Sequence, residues 1–467
     1  MGNTDNGLGF ILIGKDPCKP HGVDRIYILL SLGPFDPRIS ESFKLFAMER
    51  ILLKDTEKPF PAYMEEYIKA GGYENISRAF DLKPADIIDE VNISGLKGRG
   101  GAGFPTAMKW RFASADPKSP KYLICNADEG EPGTFKDRVL IEKNPHLLIE
   151  GMIISAYALK AEYGYIYLRG EYYNAKEILE KAIKEAYENN FLGDDILKRK
   201  IKFHISIHVG AGSYICGEET ALLDSIEGKR GQPRTKPPFP VNVGAWGMPT
   251  IVNNVETLAN IPHIMKVGGK VYSQIGNPES PGPKLYSVSG CVRKPGLYEL
   301  DMGVTLREII YDYAGGIGND RDLKAVIPGG ISAPVLPGDK IDCTMDYISL
   351  SKAGSMLGSA AVIVMDDSVC MVKVALRIMK FFEHESCGKC TPCREGTEWL
   401  RKILERIEQG NGRKEDINLL SEISMNISGK SFCALGDGAA GTVLGMIRHF
   451  REEFEEHIAE KNGIFES

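Results

Sequence analysis

Hydrophobic positions change their rhythm several times along this chain. Arg25–Leu32 has the apolar density of a strand, and Ser40–Lys54 and Ala62–Gly71 carry helical spacing, the latter stopped by Gly71-Gly72. From about Gly95 strands and helices alternate. Lys121–Cys125, Tyr163–Arg169 and Lys202–Val209 read as strands, and Val139–Lys160 and Asn174–Asn189 read as the helices between them. Strand, loop and helix in repetition predict right-handed crossovers and a mostly parallel sheet covered on both faces. The Pro- and Gly-rich segment Gly228–Pro249 has little capacity for regular structure, and a loop that long in a compact domain is usually functional or disordered.

Past the prolines at 281 and 283 the pattern changes again. Lys284–Ser289, the Lys294-Pro295-Gly296 turn, Leu297–Leu300, a helix over Thr305–Ala314 and a strand at Leu323–Ile327 suggest a small β-grasp-like module. From Met371 onward helices predominate, with Glu395–Gln409, Lys414–Ile423 and Gly441–Ile458 the clearest. The expected division is an extension over 1–55, an α/β domain over 56–275, the β-grasp module over 276–352 and a helical domain over 353–467.

Composition removes several function classes. A net charge of −6 offers no basic stripe for nucleic acid. The most apolar run, Ala353 to Met365, is too short to cross a bilayer. No basic region precedes the apolar Gly7–Gly14, so a secretory signal is not expected and a cytoplasmic location is. Attachment to a membrane complex through a partner stays compatible with this.

The cysteines carry the strongest chemical signal. Cys387-Gly-Lys-Cys390-Thr-Pro-Cys393 places three thiolates at successive i, i+3 spacings, and Cys433 follows forty residues later. Such four-cysteine sets hold an iron–sulfur cubane or a structural zinc. Zinc usually takes two separated C-x-x-C pairs, so three ligands followed by one favours the cubane. A disulfide is disfavoured because nothing indicates an oxidising compartment. Cys18, Cys125, Cys216, Cys291, Cys343 and Cys370 are scattered, and by default they are small core residues.

Three loops carry further signals. Gly98-Arg99-Gly100-Gly101-Ala102-Gly103-Phe104-Pro105 lets backbone N–H groups approach a phosphate, and Lys109 could add a cation. It departs from a dinucleotide fingerprint because no clear strand precedes it. Asn126-Ala127-Asp128-Glu129-Gly130-Glu131 follows a strand, and its polar side chains suit ribityl hydroxyls or the polar edge of a flavin or nicotinamide ring; the alternative is an acidic surface loop. Gly210–Gly217 followed by Glu218, Glu219 and Thr220 repeats the arrangement. Its acidic pair would start a helix or bond the ribose hydroxyls of a nucleotide while repelling a 2′-phosphate.

The runs Gly98–Trp110, Cys125–Asp137, Gly210–Thr220, Lys236–Pro240, Asn253–Thr257 and Cys387–Glu395, in consistent order over roughly residues 60–460, resemble the NADH-binding flavoprotein subunit of respiratory complex I. Related subunits occur in soluble NAD-linked hydrogenases and formate dehydrogenases, including electron-bifurcating ones. The resemblance implies FMN held by Gly98, Gly100, Gly101, Lys109, Asn126, Asp128, Glu129, Tyr214, Gly217, Glu218, Asn253 and Asn254. It implies NADH stacked on the flavin in a cleft that includes Gly103, with its adenine among Phe104, Phe112 and Phe239 and with Lys236, Glu131 and Glu219 nearby. Glu131 is the candidate for tuning the reacting rings. The 4Fe-4S ligands fall on Cys387, Cys390, Cys393 and Cys433, and the fold implied is a Rossmann-like FMN/NADH domain, a β-grasp domain and a helical cluster domain.

Implied partners are a 2Fe-2S protein of thioredoxin-like fold and a larger multi-cluster iron–sulfur protein. Some bifurcating relatives carry an extra amino-terminal 2Fe-2S domain and a ferredoxin tail. Here Cys18 is isolated and no Cys follows Cys433, so one flavin and one cluster are expected. The reaction implied is NADH oxidation, or NAD+ reduction, by hydride exchange with FMN, with single electrons leaving through the cluster. The alternative is a bifurcating component of a soluble hydrogenase or formate dehydrogenase.

Overall fold

A computed structural model describes residues 50–54 and 63–461, together with the backbone of two short strands, Ile11–Ile13 and Ile26–Ile28. These two strands pair antiparallel. Most of the strand expected over Arg25–Leu32, and residues 40–49 of the helix expected over Ser40–Lys54, lie outside the described residues. The described end of that helix is not helical. Ile51, Leu52 and Leu53 instead donate their backbone N–H groups to the Glu299 carboxylate at 2.7–2.9 Å.

The α/β domain is built on a four-stranded, all-parallel sheet ordered His204–Val209, Tyr163–Leu168, Tyr122–Ala127, Thr250–Asn254. The first three strands are the expected ones with ends moved by one or two residues, Tyr122–Ala127 running two residues past Cys125. The fourth, Thr250–Asn254, falls outside the expected pattern and returns the chain to the opposite side of Tyr122–Ala127. The long helix expected over Val139–Lys160 is two helices, Lys136–Lys143 and Pro145–Leu159. Pro145 cannot donate the hydrogen bond that would continue the first. Alternate residues of the central strand feed different cores. Leu123 and Cys125 pack with the helical side, while Ile124 packs with Ile215, Leu222 and, beyond them, Phe382 and Leu400 of the carboxy-terminal helices.

The β-grasp-like module is a five-stranded sheet ordered Gly296–Asp301, Pro283–Gly290, Ala361–Asp366, Leu323–Ile327, Leu336–Pro337. A division at residue 352 would cut through it. Its central strand, Ala361–Asp366, runs parallel to Pro283–Gly290 and antiparallel to Leu323–Ile327. The end of that apolar run, Ala361–Met365, is therefore a fully buried strand, as its β-branched Val-Ile-Val suits. The helices Met371–Glu385, Thr391–Glu408, Lys414–Ile427 and Ala434–Lys461 complete the fold. Among the described residues no helix is long and apolar enough to cross a membrane.

Candidate functional site

The sheet order places a crevice where the chain reverses direction, between the carboxyl ends of Tyr122–Ala127 and Thr250–Asn254. Open parallel sheets bind ligands at such a switch point. The glycine-rich loop lies over it. A Cβ on Gly100 would come 3.1 Å from Asn254 Cβ, and one on Gly103 (φ +65°) would meet the Tyr347 ring at 2.4 Å. Tyr347 Oη donates to Gly98 O at 2.7 Å, and Arg99 N donates to Thr257 Oγ1 at 2.8 Å. Gly101 has a positive φ, and a Cβ there would find nothing nearer than 4.0 Å. The loop is thus clamped at both ends and open in the middle.

Below the loop, Asn126 Nδ2 donates to Gly217 O at 2.9 Å while its Oδ1 accepts from Asp128 N at 3.1 Å. This joins two of the sequence motifs directly. Asp128 Oδ2 is buried without a hydrogen-bond partner. Burial pushes this carboxyl up to about 7, with Arg169 pulling against it. An orphaned acceptor beside a loop of exposed N–H groups is what a ligand carrying hydroxyls and a phosphate would complete. The residues present fit FMN.

Other expected site residues are already committed to structural bonds. Glu129 is buried and accepts from Asp137 N, Arg138 N and Tyr172 Oη at 2.8–3.0 Å, capping the helix Lys136–Lys143. Burial and neighbouring Asp137 raise it to about 7. Glu131 Oε1 accepts from Ser332 N at 2.8 Å, and its Oε2 accepts from Tyr214 Oη at 2.5 Å and Ser332 Oγ at 2.8 Å. That carboxylate ties the crevice to the β-grasp module, and burial raises it above its ordinary range. Asn253 Oδ1 accepts from Trp110 Nε1 at 2.9 Å. Asn254 Oδ1 accepts from Lys136 Nζ and Glu256 N, and its Nδ2 donates to Asp137 Oδ2 at 2.7 Å.

Glu218 caps the helix Glu219–Ile226, accepting from Thr220 N and Ala221 N at 2.9 Å. Glu219 sits between two ammonium groups, Lys109 Nζ at 2.7 Å and Lys236 Nζ at 3.1 Å. Burial works to raise this carboxyl, but the two lysines prevail and hold it below its usual range. Phe104, Phe112 and Phe239 are about half exposed, at 49, 53 and 52%. Half-exposed aromatic rings of this kind can stack on a flat ligand.

The four cysteines converge as expected. Cys387, Cys390, Cys393 and Cys433 line one pocket together with Ile215, Pro233, Phe432 and Leu435. Four converging thiolates are the ligand set of an iron–sulfur cubane. Ile215 belongs to the short turn Tyr214–Gly217 whose Gly217 carbonyl holds Asn126. One turn therefore forms a wall of the cluster pocket and an edge of the crevice. The spacing of the motifs gives no sign of this, because it depends on Tyr214 N donating to Glu385 Oε2 at 2.9 Å and Tyr214 packing edge-on to Phe381.

Comparison with known proteins agrees with this geometry. Residues 91–263 match the Nuo51 FMN-binding domain, 284–364 an SLBB domain, and 373–457 the NADH-ubiquinone oxidoreductase-F iron–sulfur binding region. The NADH-quinone oxidoreductase F subunit 2 of Rhizobium meliloti (strain 1021) is 55% identical over 418 residues, covering 89% of this chain and 99% of the relative. The chain belongs to the F-subunit family of NADH-quinone oxidoreductases. The F subunit of the Streptomyces coelicolor enzyme is 48% identical over 403 residues, 86% of this chain and 90% of its own. Among solved structures, an NAD+-reducing [NiFe]-hydrogenase in the air-oxidized state superposes with a TM-score of 0.74 at 40% identity. That match covers 80% of this chain and 63% of the hydrogenase chain. As a member of this family, the chain carries an FMN-binding domain and a 4Fe-4S region.

Proposed function

We infer that this protein oxidises NADH at FMN in the crevice and passes the electrons singly to the 4Fe-4S cluster. The observation that carries the reading is the shared turn Tyr214–Gly217, which sets the crevice directly against the cysteine pocket. FMN supplies hydride acceptance and one-electron release, the two properties that let a nicotinamide feed a cluster.

The protein's work is orientation. The N–H groups of Gly100 and Gly101 would hold the phosphate, with Gly98 shaping the loop through its N–H bond to Phe104 O at 2.9 Å, and Asp128 Oδ2 and Asn126 would hold the ribityl chain. Lys109, Asn253 and Asn254 would flank the ring. Glu129 and Glu218 act through the helices they cap, and Tyr214 and Gly217 form the wall toward the cluster. Gly103 leaves room beside Phe104, and with Phe112 and Phe239 that ring would receive the adenine. Placing nicotinamide and flavin in a near-attack stack needs no proton carrier. Glu131 is accordingly a positioning residue that fixes Tyr214 and the β-grasp loop around the rings.

In rapid mixing of the loaded protein with NADH, the flavin band should bleach before the cluster signal appears. Cys390→Ser should keep the first phase and lose the second, and Glu131→Gln should slow the first about tenfold or shift the flavin potential. A cluster-free variant that reduces one-electron acceptors at the parental rate would contradict the path. Unaltered rate and potential in Glu131→Gln would remove Glu131 from the account.

Nucleotide choice is assigned to Glu219. Its carboxylate neutralises Lys236 and would itself repel a 2′-phosphate. Glu219→Gln should therefore let NADPH reduce the flavin, raising its kcat/KM at least tenfold. An unchanged NADPH rate would place discrimination elsewhere.

Proteins of this family act in multi-subunit complexes. The finer assignment is a 2Fe-2S partner of thioredoxin-like fold and a larger multi-cluster partner, supported by exposed Trp399, Met425 and Phe432 on the helices and loop around the cluster. Isolation of the native complex without two such iron–sulfur chains would remove that assignment. Nothing in this chain favours the bifurcating alternative.

A further inference from the structure

At the other end of the cluster helices, three groups meet that the electron path does not use. Cys370 immediately precedes the helix Met371–Glu385, Glu408 ends the helix Thr391–Glu408, and His457 lies near the end of Ala434–Lys461. One ligand atom from each lies within 4.8 Å of the other two. Glu408 Oε2 is 3.0 Å from His457 Nε2, and the two side chains are only 21% and 11% exposed. No other set of three such groups among the described residues converges so closely.

The donor set decides the class of ligand. Thiolate, imidazole and carboxylate together suit zinc, whereas magnesium and calcium take oxygen alone. Three protein ligands and one remaining position are a common zinc arrangement. The two anionic donors would balance a divalent ion, and Lys373 Nζ, 4.0 Å from Glu408 Oε1, could hold the outer carboxylate oxygen. Along Met371–Glu385, 15 residues at 1.5 Å each put this point roughly 22 Å from Ser386 and the cluster cysteines beyond it. An ion there would stand off the electron path and would fasten three helix ends.

We propose that Cys370, Glu408 and His457 bind a zinc ion that fastens three helix ends, with water in the fourth position. Binding forms Zn–S and Zn–N bonds as the Cys370 thiol proton and the Nε2 proton that His457 shares with Glu408 pass to solvent.

The test uses the full chain loaded with FMN and cluster, desalted after exposure to Zn2+, Mg2+ or Co2+. The expected result is one zinc retained per chain beyond the cluster iron, a chelator-reversible rise in melting temperature, and no response to Mg2+. Co2+ should give a thiolate-to-metal charge-transfer band in the difference spectrum. Cys370→Ser and His457→Ala should abolish that band and lower zinc affinity at least a hundredfold, with unchanged flavin and iron contents reporting that the variants fold. Glu408→Gln should weaken binding about tenfold. No retained zinc in the parent, or equal retention in parent and Cys370→Ser, would overturn the site.

Discussion

Asp128 is the residue at which the crevice most plainly awaits a ligand. In flavin-free protein its buried Oδ2 has no partner, and burial lifts the carboxyl from 3.8 to about 7. The folded chain therefore keeps a proton that the unfolded chain releases between about pH 4 and 7. Stability from this group is full below the ordinary carboxylate range and is lost as pH rises through about 7. Asp128→Asn should accordingly make the flavin-free protein more stable than its parent, by about 4 kcal/mol at pH 8 and about 1–2 kcal/mol at pH 5. Melting curves at the two pH values check this, and an equal difference at both would show that Asp128 is not held protonated. The cluster ligands are legible in the sequence because thiolate spacing is local. The capping by Glu129 and the Asn253–Trp110 bond are not, since the latter's partners lie 143 residues apart.

At the scale of elements, the buried charges between the helix Val255–Ala259 and the strand Pro283–Gly290 join two domains. Glu256 Oε2 lies 2.6 Å from Lys284 Nζ and 3.0 Å from Lys136 Nζ, and all three side chains are buried. Burial pulls Lys284 down to about 7, with Glu256 resisting. Removing the shared carboxylate charge strands the buried Lys284, while Lys136 keeps Asp137 at 2.7 Å, so Glu256→Gln should cost about 3–5 kcal/mol. Urea denaturation checks this, and a loss below about 1 kcal/mol would mean that Lys284 releases its proton freely. Alternating strands and helices are readable from apolar periodicity. Thr250–Asn254 is not, because a five-residue strand after a Pro/Gly tract has no period of its own. Ala361–Asp366 falls on the helical side of the expected division because an apolar run does not announce its partners, and its pairing closes over more than seventy residues.

Across the whole molecule, three domains converge on one pair of adjoining sites. The α/β sheet supplies the crevice, and the β-grasp module contributes Ser332 and Tyr347 to its walls. The helical domain brings the cysteines against Ile215. This convergence explains why the motifs are scattered along the sequence while the site is compact. The most direct test is an anaerobic titration of the FMN- and cluster-loaded protein with NADH and with NADPH, followed by absorbance. The expected result is stoichiometric bleaching of the flavin band by NADH and none by NADPH at equal concentration. A flavin that is bound but not bleached by NADH would contradict it.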